Sequence, residues 1–150
     1  MTIRRARPAE AEALTRLARR SKEHWGYPPD LMARFADDLV IGADAVARDE
    51  VWVLEDDAGR VIGVHRVVPG ETAILEDLWL DPQWIGTGYG RQLWQHAVGV
   101  ARTHGARAME LDADPNAVPF YERMGARRVG ETPSTVVPGR ALPRMRVELD

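Results

Sequence analysis

The segment from Gln83 to Gly90 has the composition of a phosphate-binding loop. Its three glycines, Gly86, Gly88 and Gly90, alternate with other residues, and glycine lets a backbone approach a ligand closely and adopt positive φ angles. The segment lies between a predicted strand and a predicted helix, whose first N–H groups are free and carry a partial positive charge. These features predict a cradle for a pyrophosphate group, although a tight turn without a ligand would use the same residues.

Two other nucleotide-binding motifs fit this segment badly. The dinucleotide fingerprint requires the spacing G-x-G-x-x-G, whereas the glycines here follow G-x-G-x-G. A P-loop requires Lys followed by Ser or Thr after its last glycine, whereas Arg91 and Gln92 follow here. The spacing therefore argues against NAD and ATP as ligands.

The elements around this segment are predicted from apolar periodicity and turn residues. Predicted strands cover residues 2–5, 51–54, 61–64, 72–80, 108–111, 127–130 and 144–149. Predicted helices begin at residue 8, run from 30 to about 40, from 89 to about 105 and from 115 to 124. The resulting order, β-αα-βββ-α-β-α-ββ, is that of one mixed α/β domain spanning residues 1–150.

Several motifs in this order resemble the GCN5-related N-acetyltransferase (GNAT) superfamily. The segment Leu78–Pro82 resembles the family's splayed strand, and the Gln83–Gly90 segment resembles its pyrophosphate loop, although Ile85 replaces the usual basic residue. Residues 116–126 resemble its downstream asparagine, Phe-Tyr pair and glycine step. The resemblance implies the GNAT fold, a mixed and mostly antiparallel sheet of six to seven strands flanked by about four helices. It also implies that the sheet is splayed between its fourth and fifth strands.

The same resemblance implies acetyl-CoA as the acyl donor and assigns roles to individual residues. Leu80 would pair its backbone with the pantetheine arm as an added strand does, and the N–H of Leu78 would stabilise the oxyanion of the tetrahedral intermediate. Asn116 would hydrogen-bond the pantetheine arm, unless it caps the helix that follows. The backbone N–H groups that would bind the pyrophosphate belong to Ile85, Gly86, Thr87, Gly88, Tyr89, Gly90 and Arg91.

Tyr121 is the candidate general acid that the resemblance supplies. The leaving thiolate has a parent thiol with a pKa near ~8.5, and a phenol with a pKa near ~10 can return a proton to it with little mismatch. The alternative is a core aromatic residue beside Phe120 with its hydroxyl already hydrogen-bonded.

Glu76 is the candidate group for removing a proton from the acceptor amine. An alkylammonium with a pKa near ~10.4 is almost fully charged at pH 7, and it must lose a proton before it can attack a thioester. Glu76 interrupts an apolar strand two residues before Leu78, and side chains two residues apart share a face of a strand. Glu76 and Asp77 also resemble an acidic pair of polyamine acetyltransferases. For Glu76 an ion pair with an arginine remains an equal alternative, and for Asp77 such a structural role is favoured.

The family places the acceptor pocket beside the connection between the first two helices. Here that connection contains Trp25 and Tyr27 among helix-breaking residues, so it predicts either a recognition loop or aromatic anchors for the core. Arg140, in a late Pro- and Gly-containing loop, is a candidate for binding a substrate carboxylate or is simply solvated.

Composition restricts the partners of this 150-residue chain, which has a net charge of −3 and no cysteine. Basic residues are interleaved with acidic ones, so no nucleic-acid partner is expected. No apolar run reaches membrane-spanning length, and no signal peptide is recognised at the start, so we expect a cytoplasmic protein without a membrane partner. The residues His65, His96 and His104 are not expected to cluster, and no metal site is predicted. The sequence is also compatible with a homodimer.

Three functions are compatible with these motifs. The first is an N-acetyltransferase that acts on a primary amine of a small molecule or peptide. The second is a regulatory module that binds acyl-CoA without turnover, and the third is an acyltransferase that uses a longer acyl-CoA. A module without turnover has no need for a hydroxyl at Tyr121, so the sequence favours an enzyme.

Overall fold

A computed structural model of the chain describes residues 1–149 and shows seven strands and five α-helices within them. The strands are β1 (Thr2–Arg5), β2 (Glu50–Glu55), β3 (Val61–Val68), β4 (Thr72–Leu80), β5 (Ala108–Asp112), β6 (Arg127–Pro133) and β7 (Ala141–Glu148). The helices are α1 (Ala11–Glu23), α2 (Pro29–Phe35), α3 (Ala43–Arg48), α4 (Tyr89–Thr103) and α5 (Val118–Arg123). Across residues 1–149, no helix combines the length and apolar character that crossing a membrane requires.

One helix was not predicted, and its neighbour is shorter than predicted. The second helix ends at Phe35 instead of near residue 40, and α3 follows after Gly42. The six residues of α3 are too few to display a helical period of 3.6, which is why the apolar pattern did not reveal them.

The sheet splits between its fourth and fifth strands. The strand order is β1-β2-β3-β4-β5-β7-β6, and only β4 and β5 run parallel. Their pairing covers Thr72↔Ala108 through Ile74↔Glu110 and then stops, so the rest of β4 diverges from β5. The predicted GNAT fold, with its mixed and splayed sheet, is confirmed.

A β-bulge at Glu76 changes the direction of the β4 side chains. The register between β3 and β4 passes from Val67↔Leu75 directly to Arg66↔Asp77, so Glu76 has no cross-strand partner. One extra residue shifts the alternation by one position, and Leu75 and Leu78 consequently both pack in the core cluster beneath α4. The simple two-residue alternation expected for this strand therefore does not hold across Glu76.

Apolar side chains cover both faces of the sheet. Leu14 and Leu17 of α1 pack with Val53 of β2 and Val64 of β3 on one face, as the predicted apolar stripe of the first helix requires. On the other face α4 packs against β3 and β4, and the buried cluster there includes Trp94, Ala97, Leu75, Met109, Leu111 and Met145. These two layers pack against the sheet on both faces and so position β4 and β5 where the two strands separate.

A buried histidine, His65, pairs with the half-buried His96, which corrects the expectation that the histidines stay apart. The Nε2 atom of His65 lies 2.8 Å from the Nδ1 atom of His96, and the ring of His96 packs 4.8 Å from that of Trp52. His65 on β3 and His96 on α4 are 31 positions apart in the chain, so only the packing of α4 on the sheet brings them together. No group of three or more potential metal ligands occurs within residues 1–149.

This pair makes stability depend on pH. Burial, with a smaller contribution from His96, lowers the pKa of His65 to about 3, whereas an unfolded histidine has a pKa near ~6.5. A depressed histidine pKa stabilises the fold above pH ~6.5, and that stability is lost as the pH falls below it, because the unfolded chain then takes up the proton. We expect the free energy of unfolding to fall by about 2 kcal/mol between pH 7 and pH 5 on account of His65.

Urea unfolding curves at both pH values measure this loss. In His65→Gln this loss of about 2 kcal/mol between pH 7 and pH 5 should disappear, whatever the absolute stability of the variant. His24→Gln, which changes an exposed histidine after α1, is the control. An unchanged pH dependence in His65→Gln would refute this account of the pair.

Candidate active site

A cleft of about 470 Å³ opens where β4 and β5 separate. The residues that line it come from β4, from the loop before α4, from α5 and from the end of α1. They include Ser21, Trp25, Glu76, Leu78, Trp79, Leu80, Ile85, Gly86, Gly88, Gly90, Arg91, Asp112, Asp114, Tyr121 and Arg123. All the predicted site residues except Thr87, Tyr89 and Asn116 are therefore in its wall.

The glycine loop forms one end of this cleft. Gly86 and Gly88 have φ angles of +82° and +89°, a conformation that residues with a Cβ rarely adopt. A Cβ built on either glycine meets no protein atom within 4 Å, so the space beside the loop is open to a ligand. Gly88 is the N-cap of α4, and the first helix bond runs from Gln92 N–H to the Gly88 carbonyl.

These positions leave a row of backbone donors without a protein acceptor at this end of the cleft. Within residues 1–149, the N–H groups from Gly86 to Arg91 have no protein acceptor, because the helix ladder begins only at Gln92. The N–H of Ile85 is different, since it donates to the Pro82 carbonyl at 3.3 Å. Ile85 is therefore removed from the predicted set of backbone donors, because the turn before the loop already uses its N–H.

Gly90 has a packing role that the motif did not reveal. A Cβ at this position would lie 3.2 Å from Cε1 of Phe120, a tight contact that would push α4 away from α5. The glycine therefore allows α5 to approach the loop closely, and this places Tyr121 beside the cleft.

The backbones of Leu78 and Leu80 face the gap between the strands. The Asp81 N–H donates to the Ile62 carbonyl at 2.7 Å, and the next pairs along the ladder are Gly63↔Leu80 and His65↔Leu78. Since bonded and non-bonded pairs alternate along antiparallel strands, the N–H and C=O groups of Leu80 and Leu78 turn away from β3. β5 has already diverged on that side, so these groups are available to an extended ligand.

Tyr121 lies against the cleft with an unpaired hydroxyl. Its side chain is 8 % exposed and its ring packs against Trp94 and Phe120 at centroid distances of 5.7 and 5.2 Å. Tyr121 belongs to the buried core cluster, as the alternative expected, but no residue within 1–149 hydrogen-bonds its phenol oxygen, and that oxygen is not sealed from the cleft. Burial, followed by the charges of Asp114 and Asp77, raises the pKa of Tyr121. The phenol is consequently protonated at neutral pH.

The two carboxylates at the bulge have different environments. Within residues 1–149 Glu76 is exposed in the cleft and makes no ion pair, whereas Asp77 is 7 % exposed and accepts a bond from Trp79 Nε1 at 2.9 Å. Arg66 Nη1 lies 3.6 Å from Asp77. Burial raises the pKa of Asp77 to about 6. The structural ion pair considered for Glu76 is therefore wrong, and that role belongs to Asp77.

A cluster of charged and aromatic side chains adjoins the cleft at Asp114. Lys22 Nζ lies 2.6 Å from Asp114 Oδ2, and the Tyr27 hydroxyl donates to the same carboxylate at 2.9 Å. Arg140 Nη2 donates to the Tyr27 hydroxyl at 2.8 Å and stacks 5.3 Å from the ring of Phe35. We call these five residues the roof cluster; it ties the segments before α2 and before β7 to the end of β5.

The roof cluster changes the interpretation of three predicted residues. Asn116 donates its side-chain nitrogen to Tyr27 and Asp114 at 3.2 and 3.0 Å, and it does not cap α5. The cap of this turn is Asp114, which accepts from the Asn116 N–H at 2.9 Å. Arg140 is half-buried in the cluster and not freely solvated. Trp25 is 41 % exposed and lines the cleft, whereas Tyr27 anchors the turn.

Lys22 and Asp114 are site residues that the sequence analysis missed. They are separated by 92 positions, and neither lies in a motif. The only sequence signal was a lysine on the last turn of an amphipathic helix, which usually indicates a solvated charge.

Comparisons with known proteins agree with this geometry. Residues 11–126 match the model of the Acetyltransferase (GNAT) family. A peptidyl-lysine N-acetyltransferase, YjaB, from Salmonella typhimurium strain LT2 is 28% identical over 133 residues, which are 88% of this chain and 87% of the relative. A glucosamine 6-phosphate N-acetyltransferase from Trypanosoma brucei brucei is 34% identical over 53 residues, but the match spans only 35% of this chain and 36% of that protein.

A solved structure shares the whole fold. The PaiA N-acetyltransferase of Thermoplasma acidophilum, in complex with coenzyme A, superposes with a TM-score of 0.80 at 17% identity and covers 98% of each chain. The chain belongs to the GNAT family of acetyltransferases. The predictions of family and of acyltransferase activity are thereby confirmed.

Proposed function

We propose that this protein transfers the acetyl group of acetyl-CoA to a primary amine of a small molecule or peptide. The observation that carries the proposal is the cleft itself, in which free backbone donors of the glycine loop and the free edge of β4 meet beside an unpaired tyrosine hydroxyl. The whole chain acts as one catalytic domain. Its expected location is the cytoplasm, since acetyl-CoA is an intracellular metabolite.

The residues of the cleft fit an extended acyl-CoA. The N–H groups from Gly86 to Arg91 have no acceptor within residues 1–149, the space beside Gly86 and Gly88 is open, and a helix N-terminus favours a pyrophosphate there. Leu80 and Leu78 offer backbone donors and acceptors to the amides of the pantetheine arm. Bound in this way, the thioester supplies an activated acetyl group at the bulge of β4.

The chemistry requires one acyl transfer and three proton transfers within the site. Glu76 removes a proton from the acceptor ammonium through water, so that the neutral nitrogen attacks the carbonyl carbon. As the C–N bond forms and the C–S bond breaks, the Leu78 N–H stabilises the charge on the carbonyl oxygen. Tyr121 gives its proton to the departing sulfur, the second proton that the nitrogen sheds restores the phenol through water, and Glu76 releases its proton to bulk water.

Binding of acetyl-CoA is the first test of this proposal. Acetyl-CoA should raise the melting temperature by several degrees, because only the folded chain offers the cradle, and NAD and ATP at equal concentration should not. Gly88→Val should abolish the shift, because its side chain would enter the space beside the loop. Differential scanning fluorimetry measures both effects.

A second glycine of the chain provides a matched control. Gly59, in the turn between β2 and β3, has a φ angle of +80° and also has no protein atom within 4 Å of a built Cβ. Gly59→Val therefore carries a similar backbone strain but lies outside the cleft, and it should retain the acetyl-CoA shift. A shift with NAD and none with acetyl-CoA would refute the proposal.

A further inference from the structure

Both cations and carboxylates line the cleft. Its lining cations are Arg91, in the first turn of α4 beside the glycine loop, and Arg123, the last residue of α5. Its lining carboxylates are Glu76, Asp112 and Asp114. CoA carries several negative charges, so its phosphates fit beside the glycine loop and the two arginines. The acceptor then lies near the carboxylates.

Cations near the acceptor end are already engaged. Lys22 is 8 % exposed, bonds to Asp114 at 2.6 Å and lies 4.5 Å from the centre of the Phe35 ring. Arg140 is held by the Tyr27 hydroxyl at 2.8 Å. An acceptor with a phosphate or carboxylate would have to break this roof cluster to pair with Lys22 or Arg140, and taking Lys22 would leave Asp114 buried without its partner.

Glu76, in contrast, lacks a counter-ion. Within residues 1–149 it makes no ion pair, while Asp112 is bonded to Arg144 at 3.0 Å and Asp114 to Lys22. One uncompensated carboxylate therefore remains at the bulge. The indoles of Trp25 and Trp79 line the same space, and indole faces attract cations.

We propose that the acceptor is a small amine with a second cationic group a few carbon atoms from the reacting nitrogen, and that the cleft discriminates against amines with an anionic group there. The inference rests on the proposed function and specifies its substrate class. The reacting nitrogen loses its charge before attack, but the second ammonium keeps its charge and is attracted by Glu76 and the two indoles. A negative group at the same distance is repelled by Glu76, and once Arg91 and Arg123 bind the phosphates of CoA, no free cation remains among the described residues that line the cleft.

Three acceptors of equal chain length test this inference. The compounds are 1,5-diaminopentane, pentylamine and 5-aminopentanoate, and kcat/KM is measured for each at saturating acetyl-CoA and low salt. After correction for its two amino groups, the diamine should exceed pentylamine about tenfold, and pentylamine should exceed 5-aminopentanoate about tenfold, as expected for one charge acting over several ångströms near a protein surface. In 0.5 M NaCl both ratios should shrink, because salt screens these interactions.

A substitution separates charge recognition from proton transfer. Glu76→Gln slows every acceptor if Glu76 is the base, but this effect cancels in the ratio between substrates. The ratio of diamine to pentylamine should therefore fall severalfold only if Glu76 attracts the second charge. Glu122→Gln removes an exposed carboxylate of α5 outside the cleft and should leave the ratio unchanged.

The possible failures are distinguishable. If kcat/KM for 5-aminopentanoate equals or exceeds that for the diamine, the inference is overturned. It is also overturned if Glu76→Gln does not change the ratio of diamine to pentylamine. In both cases the proposed acetyltransferase activity stands. If the three compounds are not acetylated but another amine is, they are measured as inhibitors of that reaction. The same order of inhibition constants supports the inference, and a different order or no inhibition overturns it. If no amine releases CoA, the proposed function itself fails.

Discussion

Replacing Tyr121 with phenylalanine is expected to lower turnover about a hundredfold, a typical value for the loss of a general acid. The substitution removes only the hydroxyl, so the ring contacts with Trp94 and Phe120 persist and the affinity for acetyl-CoA should not change. Because burial raises the pKa of Tyr121, the wild-type phenol stays protonated well into the alkaline range. The tyrosine should therefore not impose a loss of activity between pH 7 and pH 9.

Single-turnover measurements are needed to observe this effect, because slow product release would hide a change in the chemical step. The acetyl-CoA melting shift of Tyr121→Phe serves as the control for binding. Unchanged single-turnover rates in a variant that still binds acetyl-CoA would show that Tyr121 only packs between α4 and α5.

Glu76→Gln is expected to reduce turnover at pH 7 by one to two orders of magnitude, on the order of the contribution of a general base. Glutamine keeps the shape of the side chain but cannot accept the ammonium proton. Raising the pH should restore much of the activity, because the neutral form of the amine becomes abundant as the pH approaches ~10. The deciding measurement is the pH–rate profile of wild type and variant with the same acceptor.

A melting curve distinguishes this role from a structural one. Within residues 1–149 Glu76 makes no ion pair, whereas Asp77 does, so Glu76→Gln should leave the melting temperature within a degree or two of wild type. Glu122→Gln controls for the change in net charge. Parallel pH profiles of wild type and Glu76→Gln, displaced by a constant factor, would remove Glu76 from the proton transfer.

The sequence by itself determined the features that depend on neighbouring residues. The glycines at 86 and 88, followed by a helical pattern from Tyr89, were sufficient to predict a loop with positive φ angles at the start of α4. The bounds of β4 were predicted correctly because Asp81 and Pro82 end an apolar run. Such features follow from backbone sterics and apolar periodicity, which act over a few residues.

Only the tertiary structure decided how the side chains around the cleft are paired. The bulge at Glu76 arises from the register between β3 and β4, and it left Glu76 free while Asp77 became buried. The Lys22–Asp114 bond joins residues 92 positions apart, and the His65–His96 pair joins a strand to a helix. These contacts depend on how separately predictable elements pack against one another. A local pattern of residue types does not predict that packing.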